Sequence, residues 1–144
     1  GLFRAELVAA PHTMEEKSKP YFEAPAGGPL VQHGLTAMLE FWHQGKISLE
    51  QIVQKMSHNP AILFRIEERG FIREGYWADL VLVDPNAPWL VAKDNILAKC
   101  GWSPLMGQIF RSSVTETFVS GNLVYQNGNL MVEQPGARLT FKRK

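Results

Sequence analysis

The stretch "SHNPAILFRIEERGFIREGYWADLVLVDP", residues 57–85, contains the point at which the chain changes from helical to β character. Its first part continues a helical pattern that ends near residue 64. Its last part is the apolar run Leu-Val-Leu-Val at residues 80–83, which stands between two aspartates. A short apolar run with β-branched residues and polar stops is typical of a strand. The stretch therefore predicts an α/β chain, helical first and β-rich afterwards, with a boundary at residues 64–70.

Upstream of this boundary, an apolar pattern of helical period predicts an amphipathic helix that Gly45 closes. Its four members lie at spacings i, i+3, i+4 and i+7, and they are Leu35, Met38, Leu39 and Trp42. Residues 1–32 contain four prolines and predict an irregular segment instead.

A second helix is predicted to begin after Ser48, because Ser48 and Gln51 have the spacing of a capping box. We expect it to end at Asn59, which can then act as the N-cap of a further short helix. Pro60 would occupy the first position of that helix, where a missing N–H costs little.

Downstream of the boundary, glycines and prolines separate short apolar runs. Residues 89–91 predict a short second strand. Residues 117–119 and 123–125 predict a hairpin whose loop has three residues, 120–122. Asn127 and Gly128 predict another tight turn.

The composition excludes several classes of function. The net charge of the 144 residues is +1, so no overall field attracts nucleic acid or an acidic membrane. No apolar run reaches the ~18 residues of a membrane helix, and the N-terminus does not have the pattern of a signal peptide. A single cysteine fits a reducing compartment. We therefore expect a cytoplasmic protein with neither nucleic-acid nor membrane partners.

The side chains that could carry chemistry are sparse. The four histidines form neither an HxH nor an HExxH pattern, so no self-contained metal site is predicted. His43 and His58 stand near helix ends, where solvent-exposed positions are expected. Gly27 and Gly28, between two prolines, suit either a tight turn or the close approach of a ligand to the backbone. The residues alone favour the turn, and they do not identify a reaction.

Two motifs nevertheless resemble a known family. "APHTMEEK", residues 10–17, and "APAGGP", residues 24–29, resemble the C-terminal third of bacterial zinc-type dihydroorotases, and residues 57–85 are similar to the wider amidohydrolase superfamily. The family fold is a (β/α)8 barrel with a small β-sandwich, and such a barrel takes about 250 residues. The resemblance thus implies an α/β fragment. Residues 1–64 would be the last barrel loop and helices (1–9 atypical), and residues 65–144 the C-terminal strands of the sandwich.

The resemblance also implies roles for a few residues. His12 matches the histidine that binds the substrate carboxylate, and Ala26 and Gly27 match the pair whose backbone contacts the dihydroorotate ring. Val8 and Ala9 stand where the family has an Asp and a His, so the metal-binding general base is replaced by a side chain that can neither ligate zinc nor take a proton. The family's other zinc ligands lie on earlier barrel strands. We therefore expect no catalytic residue and no bound zinc in this chain.

Three hypotheses follow from the resemblance. The first is the C-terminal part of a dihydroorotase, inactive by itself, whose parent converts dihydroorotate to N-carbamoyl aspartate. The second is a non-catalytic binding or scaffolding homologue of the same fold. The third is part of an allantoinase-like or dihydropyrimidinase-like enzyme, against which the carboxylate-binding His12 argues. A fragment would expose the apolar helix face that contains Leu35 and Leu39, and we expect it to self-associate.

Overall fold

The computed structural model describes residues 13–24, 27–131 and 136–142. In chain order the helices are α1 (Met14–Lys17), α2 (Val31–His43), α3 (Leu49–Val53) and α4 (Asn59–Leu63). The strands are β1 (Leu80–Asp84), β2 (Trp89–Leu90), β3 (Ile109–Phe110), β4 (Ser113–Val119), β5 (Asn122–Gln126) and β6 (Asn129–Leu130). A mixed α/β chain, helical first and β-rich afterwards, is therefore confirmed.

Helix α2 buries a different face from the one that its apolar spacing predicts. Leu39 is 5% exposed, but the other fully buried positions are polar, His33 and Thr36. Leu35, Met38 and Trp42 are only half-buried. The expectation that this face would be fully exposed is wrong, because α2 packs against β3 and against the rings beside it.

Helices α3 and α4 belong to one continuous helical segment. The capping box predicted at its start is confirmed, since Gln51 N donates to Ser48 Oγ at 3.2 Å and Ser48 N donates to Gln51 Oε1 at 3.0 Å. The predicted end at Asn59 is wrong: Asn59 has helical backbone angles, and its N–H donates to the carbonyl of Gln54, five residues back. A π-helical turn (Gln54–His58) joins the two helices. Pro60 has no N–H and crowds the carbonyl four residues back, and a widened turn accommodates both.

The sheet has four antiparallel strands in the order β1-β4-β5-β6. The predicted strand at residues 80–83 and the predicted hairpin are both confirmed. The hairpin loop is one residue shorter than expected, because Val119 pairs with Asn122 and only Ser120 and Gly121 lie between them. Both have positive φ, 53° and 83°, as a type I′ turn requires. The tight turn predicted after β5 is also confirmed.

Strands β2 and β3 form a separate two-stranded ribbon. The first was predicted at residues 89–91. The second was missed, as was β6. Two residues alone contain no measurable period, whereas β2 was predicted from an apolar run of three residues, 89–91. The ribbon contributes Val91 and Phe110 to a small apolar core, which Leu39, Ile52 and Ala61 complete among the described residues.

An ion pair between a buried arginine and a half-buried aspartate connects the segment after α4 to the sheet. Arg69 is 7% exposed, and its guanidinium pairs with the carboxylate of Asp79 and donates to Ser120 Oγ at 3.2 Å. The other oxygen of Asp79 accepts the backbone N–H of Ser120 at 2.7 Å. The guanidinium also lies over the ring of Trp77, 5.0 Å from its centroid. These contacts hold the start of β1 against the β4–β5 turn.

Apolar side chains remain exposed at the end of α4 and just beyond it. They are Ile62, Leu63, Phe64 and Ile72, which we call the α4 apolar patch. No helix among the described residues is both long and apolar enough to cross a bilayer.

Candidate functional site

Of the residues that the family resemblance marks, Gly27 lies within the described part of the chain. Val8, Ala9, His12 and Ala26 lie outside it. The geometry of the candidate site is therefore built from Gly27 and from the elements on either side of the loop, α1 and the start of α2.

Gly27 presents an open backbone. Its φ is +87°, a conformation that side chains with a Cβ rarely adopt, and a Cβ built there would meet no heavy atom of the described residues within 4 Å. Gly28 is equally open on that side. The following Pro29 is buried and anchors the turn, in which Leu30 N donates to Gly28 O at 2.9 Å. Among the described residues, none therefore crowds this side of the Gly27 backbone.

Helix α1 begins two residues after His12, and its N-cap Thr13 belongs to a complete capping box. Glu16 N donates to Thr13 Oγ1 at 3.2 Å, and Thr13 N donates to Glu16 Oε2 at 2.7 Å. At the other end of this helix, the ammonium of Lys17 donates to the carbonyl of Gly27. The prediction of an irregular segment over residues 1–32 is wrong at this helix, and the Thr-x-x-Glu spacing at Thr13 is the signal that would have revealed it.

The first turn of α2 is tied to the loop after β2. The amide of Gln32 donates to Asn95 O at 2.7 Å and accepts from Leu97 N at 2.9 Å. A side-chain amide that is paired at both ends fixes the position of the helix start. The turn at Gly27 and Gly28 is thereby attached to a fixed point of the fold.

His33, in the same first turn, is buried in an apolar setting. It is 1% exposed, and its ring stacks near the rings of Trp89 and Phe110. Its Nδ1 lies 3.3 Å from Ser103 Oγ, and Nε2 has no hydrogen-bond partner among the described residues. Burial lowers the pKa of this imidazole, because a charged ring would lose its hydration there. His33 is therefore a neutral packing residue of the scaffold.

Acidification from about pH 7.5 to about pH 5.5 is expected to lower the free energy of unfolding. The pKa of His33 lies below its usual value of 6.5 in the folded chain, so the unfolded chain takes up the proton first. The contribution of neutral His33 to the free energy of unfolding is fully present above pH 6.5 and is lost as the pH falls below that value. Urea unfolding at the two pH values measures the change. His33→Gln is the control and should show a weaker pH dependence. An equal dependence in that variant would assign the effect to another group.

His43 and His58 do not occupy the solvent-exposed positions expected of them. Both are half-buried. His43 Nε2 lies 2.8 Å from Ser112 Oγ, and His58 Nδ1 donates to Gly70 O at 2.7 Å while its ring stacks on that of Phe71. The helices turn these side chains toward the strands and toward the segment after α4, which the helical spacing alone does not indicate.

These histidines do not converge on a metal. No group of three His, Cys, Asp or Glu side chains within the described ranges could hold an ion. The described residues therefore do not fit the zinc centre that the family resemblance implies, and zinc has no assigned ligand here. What they offer is a glycine turn whose carbonyl accepts from the Lys17 ammonium.

Comparison with known proteins gives the chain a family context. Residues 25–125 match the sequence profile of the amidohydrolase family. The chain is 35% identical over 136 residues to a dihydroorotase from Pyrococcus furiosus, and this alignment covers 94% of the chain and 31% of that protein. It is 38% identical over 109 residues to a dihydroorotase from Halobacterium salinarum, covering 74% of the chain and 26% of the relative.

The fold is also similar to solved structures of enzymes whose names include hydantoinase and dihydropyrimidinase. The fold superposes on L-hydantoinase (dihydropyrimidinase) from Arthrobacter aurescens with a TM-score of 0.78 and 29% identity, over 85% of this chain and 28% of that one. The chain thus spans about a third of the length of the proteins that it matches.

Proposed function

Because the chain belongs to the amidohydrolase family, we propose that it is the C-terminal part of a dihydroorotase and that it is inactive by itself. The observation that carries this proposal is the similarity to proteins named dihydroorotase, at 35% identity across 94% of the chain. The parent reaction would be the reversible hydrolysis of dihydroorotate to N-carbamoyl aspartate in pyrimidine biosynthesis.

In this proposal the chain supplies one wall of the substrate site. The open backbone of Gly27, with Ala26, would contact the dihydroorotate ring, and His12 would bind its carboxylate. Support comes from the geometry at Gly27, where no described side chain crowds the backbone and the following Pro29 is buried. The rest of the reaction needs a base and a metal centre. Val8 and Ala9 cannot supply them.

The family architecture is part of the same proposal. Residues 1–64 would be the last loop and helices of a (β/α)8 barrel, and residues 65–144 the C-terminal strands of a small β-sandwich. The helices that come first and the antiparallel sheet that follows are compatible with this division. Zinc would belong to the complete enzyme, with its ligands on parts of the relatives that this chain does not match.

A second candidate is part of a hydantoinase or dihydropyrimidinase. The similarity to the Arthrobacter aurescens enzyme favours it, since the two folds agree with a TM-score of 0.78. Against it stands the motif at residues 10–17, which contains a histidine suited to a carboxylate. The rings of hydantoins and dihydropyrimidines carry no such group. A third candidate, a non-catalytic scaffold, would explain Val8 as an evolved loss of the base.

The α4 apolar patch suggests how the chain behaves when it is alone. It contains Ile62, Leu63, Phe64 and Ile72, and exposed apolar side chains of this size favour association. The remaining chain of a complete amidohydrolase would cover such a surface. Without it, a second copy of this chain is the available partner, so we propose self-association through this patch. The predicted face on α2 offers less surface for this, since Leu39 is buried and α2 packs on β3.

Purified alone, the chain is expected to show no dihydroorotase activity, to bind substoichiometric zinc and to be larger than a monomer. The first two expectations follow from the absence of the base at Val8, and the third follows from the α4 apolar patch. Activity is measured in both directions of the reaction, zinc by elemental analysis, and mass by light scattering. A matched variant, Leu63→Gln, should shift the mass toward the monomer.

Three results would contradict these expectations. Turnover of dihydroorotate or one tightly held zinc per chain would overturn the claim of inactivity. A monodisperse monomer would overturn self-association. The genomic sequence upstream of residue 10 distinguishes the dihydroorotase fragment from the non-catalytic scaffold. An in-frame Asp-His and an HxH motif would support the fragment. A start codon just before Gly1 would support the scaffold.

A further inference from the structure

We propose that Asn127 is a modification site, at which the Gly128 backbone nitrogen displaces the side-chain amide as ammonia, and that opening of strand β6 controls the rate. These residues are the one Asn-Gly pair in the sequence. They form the tight turn between β5 and β6, at the opposite edge of the sheet from β1. The inference concerns the sheet and does not depend on the proposed function.

The chemistry needs only these two residues and water. The Gly128 nitrogen attacks Cγ of Asn127, and the bond from Cγ to the amide nitrogen breaks. The proton of the attacking N–H passes through solvent to the leaving nitrogen, which departs as ammonia. Water then opens the resulting succinimide ring at either carbonyl carbon, giving aspartate or isoaspartate. A glycine favours the attack, because it has no Cβ to crowd its nitrogen.

The folded turn is accessible to water, but it holds the reacting atoms apart. Asn127 and Gly128 are both exposed, and their φ values of 45° and 90° are those of a type I′ turn. The angles of such a turn direct the nitrogen of the second residue away from the side chain of the first. Because a ring closes only when the two reacting atoms meet, the paired turn is unreactive.

Strand β6 is the part of the hairpin that can release this geometry. It comprises only Asn129–Leu130, and both residues are exposed. Among the described strands it pairs with β5 alone, and just beyond it Met131 N donates to Val124 O at 2.8 Å. A short edge strand with little buried surface opens at a low cost in free energy. The reaction therefore proceeds from the open form, and its rate follows the population of that form.

The two products have different effects on the sheet. Aspartate suits the same turn as asparagine, so β6 pairs again after this modification. Isoaspartate adds one atom to the main chain of the two-residue turn, and the turn fixes the register of a hairpin. The native pairs of Gln126 with Asn129 and of Tyr125 with Leu130 then cannot re-form. The isoaspartate form should lose protection from hydrogen exchange at Met131 N.

The test incubates the full chain at mildly alkaline pH, which promotes attack by the Gly128 nitrogen, and maps its peptides by mass spectrometry. Aspartate and isoaspartate are expected at residue 127, at least about tenfold more slowly than in a free peptide of residues 122–131. Low urea concentrations should accelerate the reaction before the circular dichroism of the chain changes. Asn127→Gln should abolish it, because the longer side chain would have to close a larger ring.

Two variants of Met131 test the control by β6. Met131→Pro removes the N–H that bonds to Val124 O, and it should accelerate the reaction about two- to tenfold, the value of one ladder hydrogen bond. Met131→Ala is the matched control, because it shortens the same side chain but keeps the N–H. Its rate should equal that of the wild type.

Each outcome supports or overturns a part of the inference. An Asn127 that stays intact in the chain while the free peptide reacts would overturn the modification site. Equal rates in chain and peptide, a rate that low urea leaves unchanged, or equal acceleration in both Met131 variants would overturn the control by β6. An isoaspartate form that keeps its exchange protection at Met131 N would overturn the loss of register. Acceleration in Met131→Pro alone supports the inference.

Discussion

Gly70→Ala is expected to destabilise the chain by about 3–4 kcal/mol. Gly70 has a φ of +80°, which an L side chain adopts only with strain. A Cβ at this position would lie 2.4 Å from the Cβ of Ala61 and 2.9 Å from the carbonyl oxygen of Ser57. Ala61 is buried and Ser57 belongs to the π-helical turn, so neither can move aside without disturbing the helical segment. The loss combines backbone strain with overpacking.

Gly75→Ala is the matched control, because Gly75 has the same φ of +80° and a Cβ there would meet nothing within 4 Å. It should cost about 1 kcal/mol, the strain without the collision. Urea unfolding followed by circular dichroism measures both variants. If the two alanines cost the same, the close approach of Gly70 to α4 is not what requires a glycine there.

Asp79→Ala is expected to cost about 3 kcal/mol, because it leaves a buried guanidinium without its counter-charge. Arg69 is 93% removed from solvent, and Asp79 is its ionic partner. The same carboxylate also accepts the N–H of Ser120, so the β4–β5 turn loses a hydrogen bond as well. The start of β1 and that turn should then become more mobile, which hydrogen exchange at Ser120 would detect.

The exposed ion pair between Arg111 and Glu40 is the control for this prediction. Arg111 Nη2 lies 2.7 Å from Glu40 Oε1, and the arginine side chain is 47% exposed. Its hydrogen bond holds the pKa of Glu40 below the usual value. Arg111→Ala should cost at most about 1 kcal/mol, since solvent screens such pairs. A loss as small as this for Asp79→Ala would mean that water reaches Arg69 and replaces the carboxylate.

Gly70 and Asp79 both lie between residues 57 and 85, where the chain changes from helical to β character. The sequence predicts only part of the structure of this segment. The strand at residues 80–83 is recognisable because β-branched residues stand between polar stops. The end of the helix is misplaced because Pro60 normally breaks a helix. Here a π-helical turn absorbs the proline instead, and the helical segment runs on to Leu63. The close approach of Gly70 to Ser57 and Ala61, across about ten residues, is likewise not part of any local pattern.

The candidate site shows the same division. The motifs at residues 10–17 and 24–29 suffice to suggest a family, and the comparisons support it. The contact between Lys17 and Gly27 could not be predicted, since nothing in the composition of the loop says which way it folds back. Likewise, the sequence predicts that His43 and His58 are exposed, because it does not show which side of each helix packs against the rest of the chain.

What the sequence by itself determined is therefore local: the strand at residues 80–83, the β4–β5 hairpin, the capping box at Ser48 and the motifs of an amidohydrolase. Each depends on residues within a few positions of one another, and short-range hydrogen bonds and alternating burial are enough to specify it. Only the tertiary structure decided which face of α2 is buried, where Arg69 finds its counter-charge and what the lysine of α1 holds. These contacts join side chains that are ten to eighty residues apart in the sequence. Their contribution to stability depends on how much apolar surface and charge the packing removes from water, which only the tertiary structure defines.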